Sequence, residues 1–390
     1  MKPKLGIAVV GVGGAVGTTM FAGLELLRKG IIGKQGLPLA EFCGTGLVPY
    51  EDIVVAGWDL YGSHLASAAE EHDVLTYKQF NAVEGELRSA KPWPGIGDPR
   101  FVTHIHGENL IAAKGHRAAV ERLRSDLEAF SETCEAVVVI NLASTEKLAA
   151  EGNEILNSHS AFEKALDENS TAVSPAMLYA YAAISAGVPY GNFTPSVAAD
   201  IPALIEMAEG ERVPIAGKDG KTGQTFIKSV LAPAFRSRAL KVEGWFSTNI
   251  LGNRDGLVLS DEESLASKVK TKSSLLDDIL GYKVEDHLVD IRYYRPRGDN
   301  KEAWDNIDLT GFLGQPMQLK VNFLCRDSIL AAPLAIEIAR CLEMARLRGE
   351  SGIQEQLSAF FKLPMSRSET SEQAFHKQEA KLLDWLEPSV

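Results

Sequence analysis

The stretch that most limits the fold lies at the start of the chain, where LGIAVV (residues 5–10) runs directly into GVGGAVG (residues 11–17). A short apolar run rich in β-branched residues that ends at glycine predicts a strand buried on both faces of a parallel sheet. The residues that follow, TTMFAGLELLRK, predict a helix from Thr18 to about Lys29, stopped by Gly30. A glycine turn between a buried strand and a helix presents backbone N–H groups to an anion. Gly11 permits the tight turn, Gly13 lets a phosphate approach the backbone, and Gly14, Ala15, Val16 and Gly17 lead into the positive end of the helix. This pattern points to a dinucleotide. The spacing is GxGxxxG, with Val16 where the tightest form of the motif has glycine.

DIVVAGWDL (52–60) predicts a second strand, with Asp59 at its end, where a carboxylate accepts hydrogen bonds from an adenosine ribose. That favours NAD over NADP. Asp59 lies farther from the glycine turn than the usual ~20 residues, so residues 30–50 are read as an excursion. EAVVVINLA (135–143) predicts a third strand and residues 114–131 a helix. Strands alternating with helices predict a Rossmann-like, doubly wound α/β domain over residues 1–200. Beyond about residue 211 short β-like runs (ALKVEGWFST, HLVDIRYYRP, MQLKVNFLC) alternate with loops dense in Gly, Asp and Lys. They predict an α+β domain with an open mixed sheet over 201–327. The apolar spacing of 328–348 predicts a long helix, and 328–390 is read as a return to the first domain.

A chain of 390 residues exceeds the size at which one core usually stops growing, which agrees with two domains. Its hydrophobic content of 45% and charged content of 24% are those of a soluble globular protein. A net charge of −12 excludes non-specific nucleic-acid binding, which needs a basic footprint. Cys43, Cys134, Cys325 and Cys341 have neither zinc nor disulfide spacing, so reduced thiols are expected. No apolar stretch reaches the ~18–20 residues that span a bilayer, and glycine interrupts the N-terminal run; a cytoplasmic protein without membrane contact is expected.

Against this acidic background the lysines stand out. SKVKTKSS (267–274) carries three at alternate positions; on a helix Lys268 and Lys272 share a face and Lys270 points elsewhere. AGKDGKTGQTFIKS (216–229) sets Lys218, Lys221 and Lys228 among small and hydroxyl residues, either as a phosphate nest or as a glycine-rich hairpin. STNILGNRDGLVLS (247–260) offers Asn249, Asn253 and Asp255, RPRGDNKEAWD (295–305) offers Lys301, and CRDSILAAPL sets Asp327 and Ser328 at a helix start, where an N-cap is the plain reading.

Taken together and in order, GVGGAVGTT, AGWDL, NLASTEK, AGKDGKTGQT, STNILGNRDGLVLS, KVKTKSSLLDD, DHLVDIRYYRPRGDNKEAWD, CRDSILAAPL and the C-terminal LPMSRSE…FHKQEAKL resemble the myo-inositol-1-phosphate synthase family. The chain departs from the family pattern at Ala15-Val16, at Ser144 and at Arg254. The resemblance implies an internally balanced redox isomerisation. C5 of open-chain glucose 6-phosphate is oxidised with NAD, a C6 proton is lost, the enolate closes on C1, and the C5 ketone is reduced again. It implies Lys268, Lys272, Lys301 and Lys377 as catalytic ammonium groups. Asp219, Thr222, Gly223, Gln224, Asn249 and Arg254 would meet the sugar phosphate; Gly11, Gly13, Gly14, Ala15, Val16, Gly17, Asp59, Ser144, Asp255, Asp327 and Ser328 would line the cofactor. It also implies a homotetramer, and leaves open a divalent metal or a monovalent cation, to which Asp255, Asp277, Asp278 and Asp299 could contribute. Arg254 motivates an alternative, a sibling cyclase acting on another sugar phosphate such as fructose 6-phosphate. The glycine turn alone would also suit a simple NAD-dependent dehydrogenase.

Overall fold

A computed structural model describes residues 2–42, 46–102, 106–147, 154–252, 275–368 and 370–387. Strand β1 (Leu5–Val10) is buried along its whole length and pairs in parallel with β2 (Ile53–Asp59) on one side and β4 (Ala136–Asn141) on the other. With β3 (Trp93–Pro94), β5 (Tyr190–Asn192), β6 (Pro214–Gly217) and β11 (Gly352–Ile353) these form one parallel sheet in the order β11-β6-β5-β4-β1-β2-β3. The order reverses at β1, and such a reversal opens a crevice outside the carboxyl ends of the strands.

The period of two along β1 divides its side chains between two cores. Leu5, Ile7 and Val9 enter a core with α1 (Ala15–Arg28), α2 (Leu65–His72), α3 (Tyr77–Ser89) and the C-terminal helices α9 (Asp327–Leu347) and α10 (Phe375–Leu386). Ala8 and Val10 enter the opposite core, built by α4 (His116–Ser131), α5 (His159–Asp167), α6 (Pro175–Ser185) and α7 (Pro202–Gly210). A strand buried on both faces has no polar side, which is why LGIAVV reads as a continuous apolar run.

The second sheet has the order β10-β9-β7-β8, from β7 (Lys241–Leu251), β8 (Asp286–Tyr293), β9 (Asn300–Thr310) and β10 (Pro316–Arg326). It is mixed: β7 and β8 are parallel and the other pairs antiparallel. α8 (Gly223–Ser237) and the helical residues 275–280 cover one face through Ala232, Phe235, Leu276 and Ile279 against Val242, Trp245, Ile307 and Leu309. The other face is open and carries the exposed Phe246, Leu288 and Leu324.

Three elements differ from the sequence expectation. The parallel sheet continues past residue 200, because β6 is one of its strands. Residues 216–229 form the end of β6 and the start of α8 rather than a hairpin. β9 is an eleven-residue strand that the sequence reading did not mark, and Lys301 lies at its start. Its inward face carries Lys301 and Asp305 among Ala303, Ile307 and Leu309, which breaks the apolar alternation. Asp305 is buried there because Trp245 Nε1 and Ser247 Oγ donate to it at 2.8 and 2.6 Å.

Candidate active site

A single cleft runs from the glycine turn, across the carboxyl ends of β1, β4 and β5, to the inner face of the second sheet. On its cofactor side Gly11 has φ +85°, and a Cβ at Gly17 would lie 2.5 Å from the Val12 carbonyl oxygen, so neither position accepts a side chain without a shift. The Gly13 N–H donates to Asp59 Oδ2 at 2.9 Å, and a Cβ there would meet that oxygen at 3.0 Å. Parallel pairing sets Val9 and Val10 beside Gly57 and Trp58, which brings Asp59 to the turn despite the long excursion between them. The Gly13 carbonyl accepts from His72 Nε2 at 2.9 Å, which places the proton on that nitrogen. Gly14 caps α1 without a side-chain hydrogen bond, leaving a helix N-terminus bordered by Gly14, Ala15, Val16 and Gly17 at the cleft. These residues fit a dinucleotide: a glycine cradle for the pyrophosphate and a carboxylate for the ribose.

The loop after β4 carries Ser144 into the cleft wall. Asn141 Oδ1 accepts from Ala143 N at 3.0 Å, Ser196 Oγ accepts from Glu146 N at 3.0 Å, and Glu146 Oε1 accepts from Ala176 N at the start of α6 at 2.9 Å. Burial, with a smaller contribution from Asp98, pushes the Glu146 carboxyl up to about 7 against the hydrogen bonds it accepts. Sequence reading took Ser144 from this loop and passed over the residue that fixes it.

The opposite wall is built by the turn into α8 and by the C-terminal segment. Asp219 N donates to Thr194 O at 3.0 Å, Lys362 N to Asp219 O at 2.6 Å, and Leu363 N to Lys218 O at 3.1 Å. On this platform Lys362 Nζ pairs with Asp219 Oδ1 at 2.6 Å, both side chains being mostly buried. Beside it Asp327 accepts from Thr222 Oγ1 and Lys301 Nζ, each at 3.2 Å, and Ser328 Oγ donates to Asp299 at 2.9 Å. Gln224 donates to the carbonyls of Thr248 and Trp304 at 3.1 and 3.3 Å and accepts from Asn249 Nδ2. Asn249 Oδ1 is buried with no hydrogen-bond partner among the described residues.

Gly11, Gly13, Gly14, Ala15, Val16, Gly17, Asp59, Ser144, Asp219, Thr222, Gln224, Asn249, Lys301, Asp327 and Ser328 therefore share one cleft, with Gly223 in the same turn. Lys377 does not: it sits on α10 with its ammonium mostly exposed and paired with Glu372 at 2.9 Å. The C-terminal ammonium on the cleft wall is Lys362, which the sequence reading missed. Its only signal is the pairing of Gly220 with Phe361, a long-range contact that no local pattern announces. Lys268, Lys272, Arg254 and Asp255 lie outside the described residues. Among the described residues no group of three or more His, Cys, Asp or Glu side chains is placed to hold a metal ion.

A dinucleotide cradle facing a wall of paired ammonium and carboxylate groups defines an NAD-dependent enzyme for a small polar substrate. The myo-inositol-1-phosphate synthase family model matches residues 44–387, and the chain belongs to that family. It is 44% identical over 385 residues to inositol-3-phosphate synthase 1 of Bacteroides thetaiotaomicron, covering 93% of this chain and 90% of that one. Its fold matches the crystal structure of inositol-3-phosphate synthase from Caenorhabditis elegans with a TM-score of 0.90 at 26% identity, over 99% of this chain and 86% of that one. A myo-inositol-1-phosphate synthase-related protein from Thermotoga maritima matches with a TM-score of 0.83 at 26% identity, over 98% of both chains.

Proposed function

We propose that the chain is an inositol-3-phosphate synthase, an NAD-dependent isomerase that converts glucose 6-phosphate to an inositol phosphate. The observation that carries this reading is the single cleft in which the dinucleotide cradle meets the Asp219–Lys362 and Asp327–Lys301 pairs. NAD, when bound, supplies reversible hydride acceptance. The chain supplies the rest. The α8 N-terminus, bordered by Thr222, Gly223 and Gln224, receives the phosphate. Asn249 Oδ1 accepts from a sugar hydroxyl. Each ammonium, held by its carboxylate, can stabilise a developing oxyanion or pass a proton, and their fixed positions remove the cost of reorganising water around the charge. Lys362 takes the role that sequence comparison had given Lys377, while Lys268 and Lys272 complete the set.

The same reading divides the chain into a cofactor unit, residues 1–217 with 328–390, and a substrate unit, 218–327. The open face of the second sheet, with Phe246, Leu288 and Leu324, supports assembly into a homotetramer. The free Cys134, Cys325 and Cys341 suit the cytoplasm, and no helix among the described residues is long and apolar enough to cross a membrane. Activity with and without EDTA tests for a divalent metal, and activity in sodium against potassium or ammonium salts tests for a monovalent cation. The deciding experiment is product NMR after incubation with glucose 6-phosphate and NAD. Inositol phosphate without net NADH is expected, and stoichiometric NADH accumulation overturns the reading.

A further inference from the structure

The turn that enters α8 covers a buried lysine. Gly220 and Thr222 line the cleft, but between them the side chain of Lys221, 3% exposed, runs to α10. There its ammonium donates to Oε1 of Gln378 and lies 5.9 Å from the centre of the Phe375 ring. Gln378 is itself fixed, donating from Nε2 to the Glu372 carbonyl at 2.5 Å, and the Lys221 N–H donates to Phe360 O at 2.8 Å.

Most charged groups on the elements packed around this lysine are engaged with one another, and His376 and Glu379 of α10 are exposed to solvent. Asp219 pairs with Lys362, Asp327 with Lys301, Glu372 with Lys377 and Glu355 with Lys381, while Lys228 farther along α8 meets His287. Among the described residues no carboxylate pairs with Lys221, and burial alone pushes its ammonium down to about 7. A buried cation held only by an amide oxygen and a ring lacks a counter-charge. The chain enters α8 at the very next residue, and the cap Thr222 makes no side-chain capping hydrogen bond.

We propose that Lys221 is a positioning residue that takes up a proton when the phosphorylated substrate binds, the phosphate at the α8 N-terminus supplying its missing counter-charge and Gln378 holding the ammonium under the turn. This rests on the reading that α8 receives the phosphate. The proton moves from solvent to Nζ and no bond to the substrate forms. Without ligand at pH 7.5 the amine is mostly neutral, and with the dianion in place it is charged, so binding draws about half a proton or more per site. The phosphomonoester is almost fully dianionic at that pH and adds little uptake of its own.

The test is calorimetric titration of the NAD-loaded enzyme with 5-deoxyglucose 6-phosphate, which has no C5 hydroxyl to oxidise, at pH 7.5 in buffers of different ionisation enthalpy. Wild type is expected to take up about half a proton or more. Lys221→Met is expected to take up none and bind about tenfold more weakly, and Lys221→Arg to bind well without uptake, with NAD affinity unchanged in both. Wild-type binding without proton uptake, or uptake that persists in Lys221→Met, overturns the inference alone. Should the Met variant fail to fold, the wild-type buffer comparison still decides. No binding of the ligand to wild type overturns the phosphate reading and this inference with it.

Discussion

Replacing Lys362 by methionine should cripple catalysis, whereas the same change at Lys377 should leave it nearly intact. The Lys362 and Asp219 side chains are 14% and 7% exposed and meet at 2.6 Å on the cleft wall. Truncating one partner of a buried, hydrogen-bonded charge pair costs about 2–5 kcal/mol, much of it from the carboxylate left behind. Losing one preplaced donor to a developing oxyanion costs about 10²–10³ in kcat. The first cost falls on stability and binding; the second sets the rate, about 3–4 kcal/mol or two to three decades at ~1.4 kcal/mol per decade. Lys377 is 62% exposed and its partner Glu372 43%, a surface pair of the kind that contributes at most about 1 kcal/mol and is screened by salt. Its methionine variant should keep its rate within about twofold. Inositol phosphate formation followed by ³¹P NMR at saturating NAD measures both, with NAD affinity and melting temperature as controls. A hundredfold loss in Lys377→Met beside a near-normal Lys362→Met would refute the reasoning.

Asp59→Asn should weaken NAD binding about tenfold and reduce discrimination against NADP, because the carboxylate that receives the Gly13 N–H is lost; fluorescence titration with both cofactors checks this. Glu337, fully buried on α9, accepts from Tyr50 Oη, Leu39 N and Arg340, so Glu337→Ala should cost about 3–5 kcal/mol in unfolding measurements, and a Glu337→Met/Arg340→Met double variant should recover most of it. Glu146, whose folded-state carboxyl is raised to about 7, binds its proton more tightly folded than unfolded. Stability should therefore fall as pH rises from about 4.5 to about 7 and then level, by about 3 kcal/mol at most; denaturant midpoints across that range should lose this slope in Glu146→Gln.

The cofactor half was legible because its signals are local. A buried parallel strand is apolar throughout, the turn after it needs glycine, and the helix after that begins within a few residues, so LGIAVVGVGGAVG carries fold and ligand together. The helix at 175–185 carries equally local marks, with Ser174 as N-cap and Pro175 at its first turn. The substrate half was legible only through its resemblance to a family. Lys301 and Asp305 sit on the inward face of β9, where a strand pattern calls for apolar residues, and each is kept there by partners on other elements. Lys362 lies in a segment with no periodicity, and its position depends on the backbone pairing of 360–363 with 218–221. Lys377, in the first turn of a helix, is instead a solvated lysine on the face of α10 that turns away from the core.

That difference has a consequence for how the site is made. The cofactor cradle needs only β1, β2 and α1, elements that pair early in the chain and form one core. The substrate wall needs residues 218–222 to meet 360–363, and α9 and α10 to carry the chain's end back beneath the first sheet. Asp219 has a positive φ of +59°, a conformation held here by its hydrogen bonds to Thr194 and Lys362, so removing the C-terminal segment would free the turn as well as delete the ammonium. Loss of Leu382 and Leu386 from the core beneath α10 should therefore weaken sugar-phosphate binding before it weakens NAD binding, because α10 packs directly on residues 355–360 and on α8, which lead into that wall.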